Sequence, residues 1–236
     1  WFAAHPAVDG DPVLLWVDTF TDLFAPHVGI AAVAVLEDAG FVVRIPAGPL
    51  CCGLTWISTG QLDRARKVLR HSVAALSGAD MPIVGLEPSC TAVLRGDAAE
   101  LVGESPRVVT LAELLHDRPQ WNPPSLRGIR AVAQPHCHHH AVLGWAADRQ
   151  LLADAGAEVE AVGGCCGLAG NFGFERGHYD VSVAVARTAL LPALAAAAPG
   201  TRVLADGFSC RTQIRELTGM SGEHLAQLFA SRLRAD

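Results

Sequence analysis

The chain is short of charge. Asp, Glu, Lys and Arg make up 18% of its 236 residues, against the ~25% usual in soluble domains. Acidic residues number 24 and basic residues 18, a formal charge of -6 with no basic stripe. A phosphate-backbone partner is excluded on those grounds. Long apolar runs are also missing. The most membrane-like stretch, 181–198, contains Arg187 and Pro192 and falls short of the ~20 apolar residues a span requires. It reads as a buried helix. Trp1 to Gly10 carries neither a basic stretch nor a long apolar run, so it does not read as a signal peptide. There is no Gly-x-Ser-x-Gly elbow, no Walker-type loop and no Gly-x-Gly-x-x-Gly fingerprint, which removes the common hydrolase and nucleotide templates. Cys-x-x-Cys is absent as well. That excludes zinc knuckles, thioredoxin-like motifs and ferredoxin-type runs.

What is present is a buriable composition, 50% hydrophobic, with seven cysteines. Two are adjacent pairs, Cys51-Cys52 and Cys165-Cys166; Cys90, Cys137 and Cys210 stand alone. A secreted disulfide scaffold is shorter and denser in cysteine, so a reducing compartment and metal or redox use of the thiols fit better.

The apolar runs alternate with helical patterns, and the alternation occurs twice. Val13–Val17, Phe41–Ile45 and Met81–Leu86 read as strands, with helices at 28–39 and 61–76 and a shorter one to Leu101. In 61–76, Leu62, Ala65, Val68, Leu69 and Val73 form the apolar face. The second half repeats the order with strands at 129–133, 158–162 and 202–205, and helices at 141–155, 179–198, from Thr212 and at 223–233. Residues 108–115 and the prolines beyond them read as the join. The expected fold is α/β and internally duplicated: two Rossmann-like βαβ lobes with parallel sheets, spanning 1–118 and 119–236. Every cysteine falls just past an expected strand end, where open parallel sheets bind ligands.

Four thiolates converging from three loops, Cys137, Cys165, Cys166 and Cys210, suit tetrahedral zinc or an iron–sulfur cluster. Adjacent ligands are awkward on one ion, whereas neighbouring cysteines can reach different irons. Gly163, Gly164, Gly167 and Gly170 would let the backbone approach a bulky core and present N–H groups to it. The first half has Cys51, Cys52 and Cys90, with Thr19 and Thr21 where the second has Cys137. These three thiols suit a second site with an open or oxygen ligand from Asp18 or Glu87, thiol redox chemistry, or the remains of a lost site. Among the histidines, His136 or His138 is expected beside the centre, with His139 and His140 at the surface. Residues 171–175 read as a loop whose phenyl rings keep water out.

These residues resemble the CCG, or cysteine-rich, domain family of glycolate oxidase iron–sulfur subunits and heterodisulfide reductase B subunits. The resemblance is carried by Cys51-Cys52-Gly53, Glu87-Pro88-Ser89-Cys90, His136-Cys137-His138, Gly164-Cys165-Cys166-Gly167 and Gly207-Phe208-Ser209-Cys210. It is nearest to the C-terminal iron–sulfur part of fused FAD-linked D-lactate or glycolate dehydrogenase-like oxidoreductases. The resemblance implies a [4Fe–4S] cluster on Cys137, Cys165, Cys166 and Cys210, in cubane or noncubane form, and a possible second or vestigial site at Cys51, Cys52 and Cys90. The family's closing Cys-x-x-Cys pair would begin at Glu87 and Gly207, and neither is cysteine. Further implications are FAD in an upstream domain, a ferredoxin-type domain or subunit as electron donor, and a downstream acceptor. The chain would be an electron-transfer component of an oxidoreductase, inactive alone. It would lie in the cytoplasm and meet the inner face of the membrane only through partners. A heterodisulfide-reductase-like thiol/disulfide module and a zinc-binding structural or interaction domain are the alternatives.

Overall fold

The computed structural model describes residues 1–233; the end of the expected second lobe, 234–236, lies outside them. The first half runs β1 (Asp11–Trp16), α1 (Thr19–Leu23), α2 (Pro26–Asp38), β2 (Phe41–Arg44), α3 (Leu54–Ser58), α4 (Leu62–Leu76), β3 (Ile83–Gly85), α5 (Pro88–Arg95), α6 (Asp97–Val102), β4 (Val108–Thr110) and α7 (Leu111–His116). The second runs β5 (Arg130–Ala133), a π-turn at His139–Leu143, α8 (Ala146–Asp154), β6 (Glu158–Ala161), α9 (Tyr179–Ala186), α10 (Leu190–Ala196), β7 (Arg202–Leu204), α11 (Phe208–Thr218) and α12 (Leu225–Ala230). The strands form two parallel sheets, β2-β1-β3-β4 and β6-β5-β7. The expected α/β duplication is therefore present as two parallel sheets.

Local chemistry sets the boundaries. Val13, Leu15 and Trp16 are buried in β1, as expected of a strand covered on both faces. Asp18 caps α1 by accepting the N–H groups of Phe20 and Thr21, and Pro26 opens α2 from its first turn, where its missing N–H costs nothing. Gly40, at φ +82°, then turns the chain into β2.

Several expected elements differ. The join at 108–115 is a fourth strand and a helix: Val108 pairs with Ile83, and Thr110 and Glu113 form a capping box that starts α7. The helix expected to reach Leu101 breaks at Gly96 into α5 and α6. The one expected at 141–155 is a π-turn ended by Gly144, at φ +81°, followed by α8. The stretch 181–198 belongs to two helices bent by 50°, and no single described helix is long and apolar enough to cross a membrane. Val181 is exposed and only Ser182, Ala186, Leu190 and Leu194 of that pair are buried, so it is a surface layer rather than a buried helix. Leu62 is likewise exposed at the open end of α4.

The repeat runs further than the strands. Glu223 bridges to Leu204 as a vestige of a fourth strand, and His224 with Gln227 forms a capping box for α12, as Thr110 and Glu113 do for α7. These terminal helices cross over. α7 of the first half packs on α8 of the second, and α12 packs on α2. One apolar core therefore includes Val28, Ala32 and Leu36 of α2, Leu111 and Leu115 of α7, Leu151 and Leu152 of α8, and Leu225 and Phe229 of α12. Separate cores cover the far face of each sheet.

Candidate metal centre

In each sheet the central strand, β1 or β5, has its partners on opposite sides. The connections after β1 and β3, and those after β5 and β7, therefore leave in opposite directions and open a crevice at the strand ends. All seven cysteines lie at these two crevices. Cys137 follows β5, Cys165-Cys166 follow β6, and Cys210 sits in the first turn of α11, which begins at Phe208 rather than near Thr212. Cys51-Cys52 and Cys90 occupy the matching places after β2 and in the first turn of α5.

The two Cys-Cys-Gly turns are built alike. The Gly53 N–H donates to Cys51 Sγ at 3.4 Å, and the Gly167 N–H donates to Cys165 Sγ at 3.3 Å. Both glycines are left-handed, at φ +79° and +95°. Gly167 has a second constraint: a Cβ there would sit 2.2 Å from the Ser182 carbonyl oxygen. Gly164 and Gly170 are also left-handed but have open space around them, and the Gly164 carbonyl accepts from Gln134 Nε2 at 3.0 Å.

The electrostatics differ. In the second half the neighbouring thiols of Cys137 and Cys166 and the Gly167 amide hold Cys165 as a thiolate, its pKa pulled down to about 2. Contact with that sulfur, and then burial, pushes the Cys137 thiol up; contact with Cys165 and then Cys210, followed by burial, pushes up Cys166. In the first half Thr19 stands against Cys51 where Cys137 stands against Cys165. There Cys52 and then burial push Cys51 up. For Cys52, contact with Cys51 lowers the pKa, but the Cys90 contact and burial outweigh it. Contact with Cys52 likewise favours the Cys90 thiolate, but burial and the carboxylates of Asp18 and Glu87 raise its pKa. The first half holds three neutral thiols.

Two absent cysteines have a structural reason. At Gly207 a Cβ would lie 2.3 Å from His136 Cδ2, so the imidazole fills the volume a closing-pair thiol would need. At the matching place Glu87 is buried, accepting from Ser89 Oγ and from the Phe208 N–H across the seam, both at 2.8 Å. Burial pushes its carboxyl up to about 7, with Asp18 adding repulsion.

His136 is 4% exposed, and burial followed by His138 lowers its pKa to about 3. Its Nδ1 accepts the His138 N–H at 3.2 Å and lies 3.7 Å from Cys137 Sγ; His138 Nδ1 lies 3.8 Å from the same sulfur. Both expected neighbours of Cys137 are thus in place. His139, expected at the surface, is 2% exposed. It joins Asp148 and Asp206 in a polar seam between the sheets, with His224 nearby at 3.7 Å from Asp206. The Nδ1 atoms of His139 and His224 accept main-chain N–H groups of His136 and Ala226. The His224 Nε2 then carries the hydrogen and faces the Leu86 carbonyl oxygen at 3.1 Å. Sequence periodicity gave no signal for these four, because polar residues in helix and loop patterns ordinarily face solvent. Phe172 and Phe174 are 36% and 52% exposed; Phe172 stacks on His178 with centroids 4.1 Å apart, rather than sealing the cysteines.

Among the described residues, the ligand groups within 4.8 Å of one another are His136–Cys137–His138 and His139–Asp148–Asp206. Neither is a set of thiols. A single zinc ion would need its sulfurs about 3.8 Å apart, given Zn–S bonds near 2.3 Å. The second-half thiols touch in series, Cys137 with Cys165, Cys165 with Cys166 and Cys166 with Cys210. Residues 18–95 match the profile of the CCG family, described as the cysteine-rich domain. This stretch is a CCG cysteine-rich domain. The CCG match covers the first cysteine site, and the second site repeats its turn.

Three relatives of this chain extend the comparison. It is 26% identical over 246 aligned residues to the C subunit of anaerobic glycerol-3-phosphate dehydrogenase from Escherichia coli (strain K12), covering 98% of this chain and 61% of that protein. Lactate utilization protein A of Bacillus velezensis is 28% identical over 68% of this chain and 74% of its own length. D-2-hydroxyglutarate dehydrogenase of Escherichia coli (strain K12) is 28% identical over 91% of this chain but 22% of its own. The chain thus spans less than two thirds of the first relative and under a quarter of the third.

Proposed function

We propose that the second half holds a [4Fe–4S] cluster on Cys137, Cys165, Cys166 and Cys210, and that the chain is the electron-transfer domain of a larger oxidoreductase. The observation that carries this reading is the run of thiol contacts Cys137–Cys165–Cys166–Cys210 at one strand crevice, where the neighbouring thiols also lower the pKa of Cys165. Bound there, a cluster supplies one-electron chemistry. The protein's own part is placement and tuning. Cys165 contributes negative charge, the Gly167 amide donates beside it, and buried Cys166, Leu168 and Cys210 keep water from the inner side. His136 occupies the place of a fifth thiolate, replacing a charge with a neutral ring.

The relatives' names, two dehydrogenases and a lactate-utilization protein, support a parent enzyme that oxidises a small hydroxylated acid, of the D-lactate or glycolate type. In that parent an FAD domain would accept hydride, a ferredoxin-type domain or subunit would relay electrons, and a downstream acceptor would take them. The work would be done in the cytoplasm, with membrane contact through partners.

A zinc reading has one observation of its own, the close His136–Cys137–His138 trio. It is disfavoured because His136 Nδ1 already accepts the His138 amide. Iron, acid-labile sulfide and zinc content of anaerobically purified protein, with an electron paramagnetic resonance spectrum, decides between them. About four irons and four sulfides per chain are expected. One zinc without sulfide would sink the electron-transfer reading.

A further inference from the structure

The first half carries a pair of thiols that the cluster of the second half does not use. Cys52 and Cys90 lie 38 residues apart in sequence, yet the Cys52 Sγ–H donates to Cys90 Sγ at 3.2 Å. They are 4% and 3% exposed, while Cys51 beside them is half-buried. The surroundings lack what a cluster would need. Thr19 replaces the opening cysteine, and Glu87 replaces the first cysteine of the closing pair. The Glu87 carboxylate is turned away toward Phe208 on the other side of the seam, and the Asp18 carboxylate is taken up by Phe20, Thr21 and the Thr21 hydroxyl. Neither acid is free to complete a ligand set.

From this geometry we infer that the first half is a dithiol/disulfide centre, in which Cys52 and Cys90 interconvert between two thiols and one intramolecular disulfide. A disulfide needs sulfurs at ~2.05 Å, so the pair, now at 3.2 Å, must close by about an ångström. The oxidant is a low-molecular-weight disulfide, RS–SR. The Cys52–Cys90 bond forms and the RS–SR bond breaks. Two electrons and two protons pass from the cysteines to give two RSH. Because Cys52 and Cys90 are buried, the exposed flank of Cys51 is the entry point. Cys51 loses its proton to solvent and takes the first mixed disulfide, releasing one RSH. Cys52 then attacks the Cys51 sulfur and releases the second RSH, and Cys90 attacks Cys52 and frees Cys51, so the exchange is slow and quickens as pH rises.

The consequence is local but not isolated. Closing the bond ties the Cys-Cys-Gly turn to α5. The same helix begins at Glu87, whose carboxylate holds the first amide of α11. The redox state of one crevice is thereby linked to the helix that carries Cys210.

The test uses cluster-loaded, anaerobically purified protein in buffers of rising oxidised-to-reduced glutathione ratio, followed by thiol counting, intact mass and peptide mapping. The expected result is reversible loss of two thiols per chain, a fall of about 2 Da, and one cross-linked peptide pair joining 51–52 to 90. The link should persist in Cys51→Ser, forming several-fold more slowly, and vanish in Cys52→Ser and Cys90→Ser. Retention of all three first-half thiols across the series would overturn the proposal. So would a cross-link that survives Cys90→Ser. Metal analysis separates this from the cluster reading: about eight irons per chain would overturn the dithiol centre alone, and no iron or sulfide would overturn the cluster while leaving the thiol test intact.

Discussion

The two cysteine crevices share a backbone and differ in charge. In both, a left-handed glycine donates its amide to the first cysteine of a pair, and a third cysteine sits in the first turn of the next helix. The second crevice adds Cys137, and a thiolate appears on Cys165. The first has Thr19 in that position and two buried carboxylates nearby, Asp18 and Glu87, and its thiols stay protonated. One fold thus presents two chemistries, and the choice is made by a single opening residue and the sign of the charges behind it. A metal ligand must be anionic or become so, and a disulfide is attacked only by a thiolate, so the neutral thiols of the first crevice exchange slowly.

The largest test of this contrast is metal content. Cys165→Ser should lower iron and sulfide by more than ten-fold, while Cys51→Ser leaves both unchanged. Cys137→Thr gives the second crevice the residue of the first, and iron retention should fall several-fold. On metal-free protein the same contrast is read by alkylation at pH 6. Cys165 should react at least ten-fold faster than Cys51 in the wild type, and most of that advantage should be lost in Cys137→Thr. Stability separates the two turns as well. Gly167→Ala meets the Ser182 carbonyl at 2.2 Å in a left-handed conformation and should cost about 4 kcal/mol in urea unfolding. Gly53→Ala, with its nearest neighbour at 3.6 Å, should cost about 1 kcal/mol.

The smallest effect concerns pH. Glu87 has its carboxyl raised from 4.5 to about 7 by burial, so the folded state binds a proton more tightly than the unfolded chain. Its contribution is complete below about pH 4.5 and is lost as pH rises through about 7. Glu87→Gln should flatten that slope and stabilise the protein by about 2 kcal/mol at pH 8. An unchanged slope would show that the carboxyl titrates normally.

Much of this was legible in the sequence because it rests on short-range rules. Apolar runs such as Val13–Val17, which the structure ends at Trp16, locate strands, and the left-handed Gly40 and Gly156 mark turns between elements. The recurrence of Cys-Cys-Gly places both crevices. What the sequence does not show depends on contacts between the halves. Val108–Thr110 forms a strand only because Ile83–Gly85 is there to pair with it. His139, Asp148 and His224 are buried because α7, α8 and α12 close over the seam, and none stands in an apolar pattern of its own. The clash that keeps residue 207 a glycine comes from His136, 71 positions earlier in the chain.

The crossed terminal helices decide how the molecule comes apart. Because α12 covers α2 and α7 covers α8, neither half keeps its apolar surface covered once the other has left. Melting therefore proceeds as a single cooperative event rather than as two domain transitions. A cut in the proline-rich connection at 119–125 would yield two fragments that fold poorly apart and recombine on mixing. The chain is duplicated in sequence, but its unit of folding is the pair.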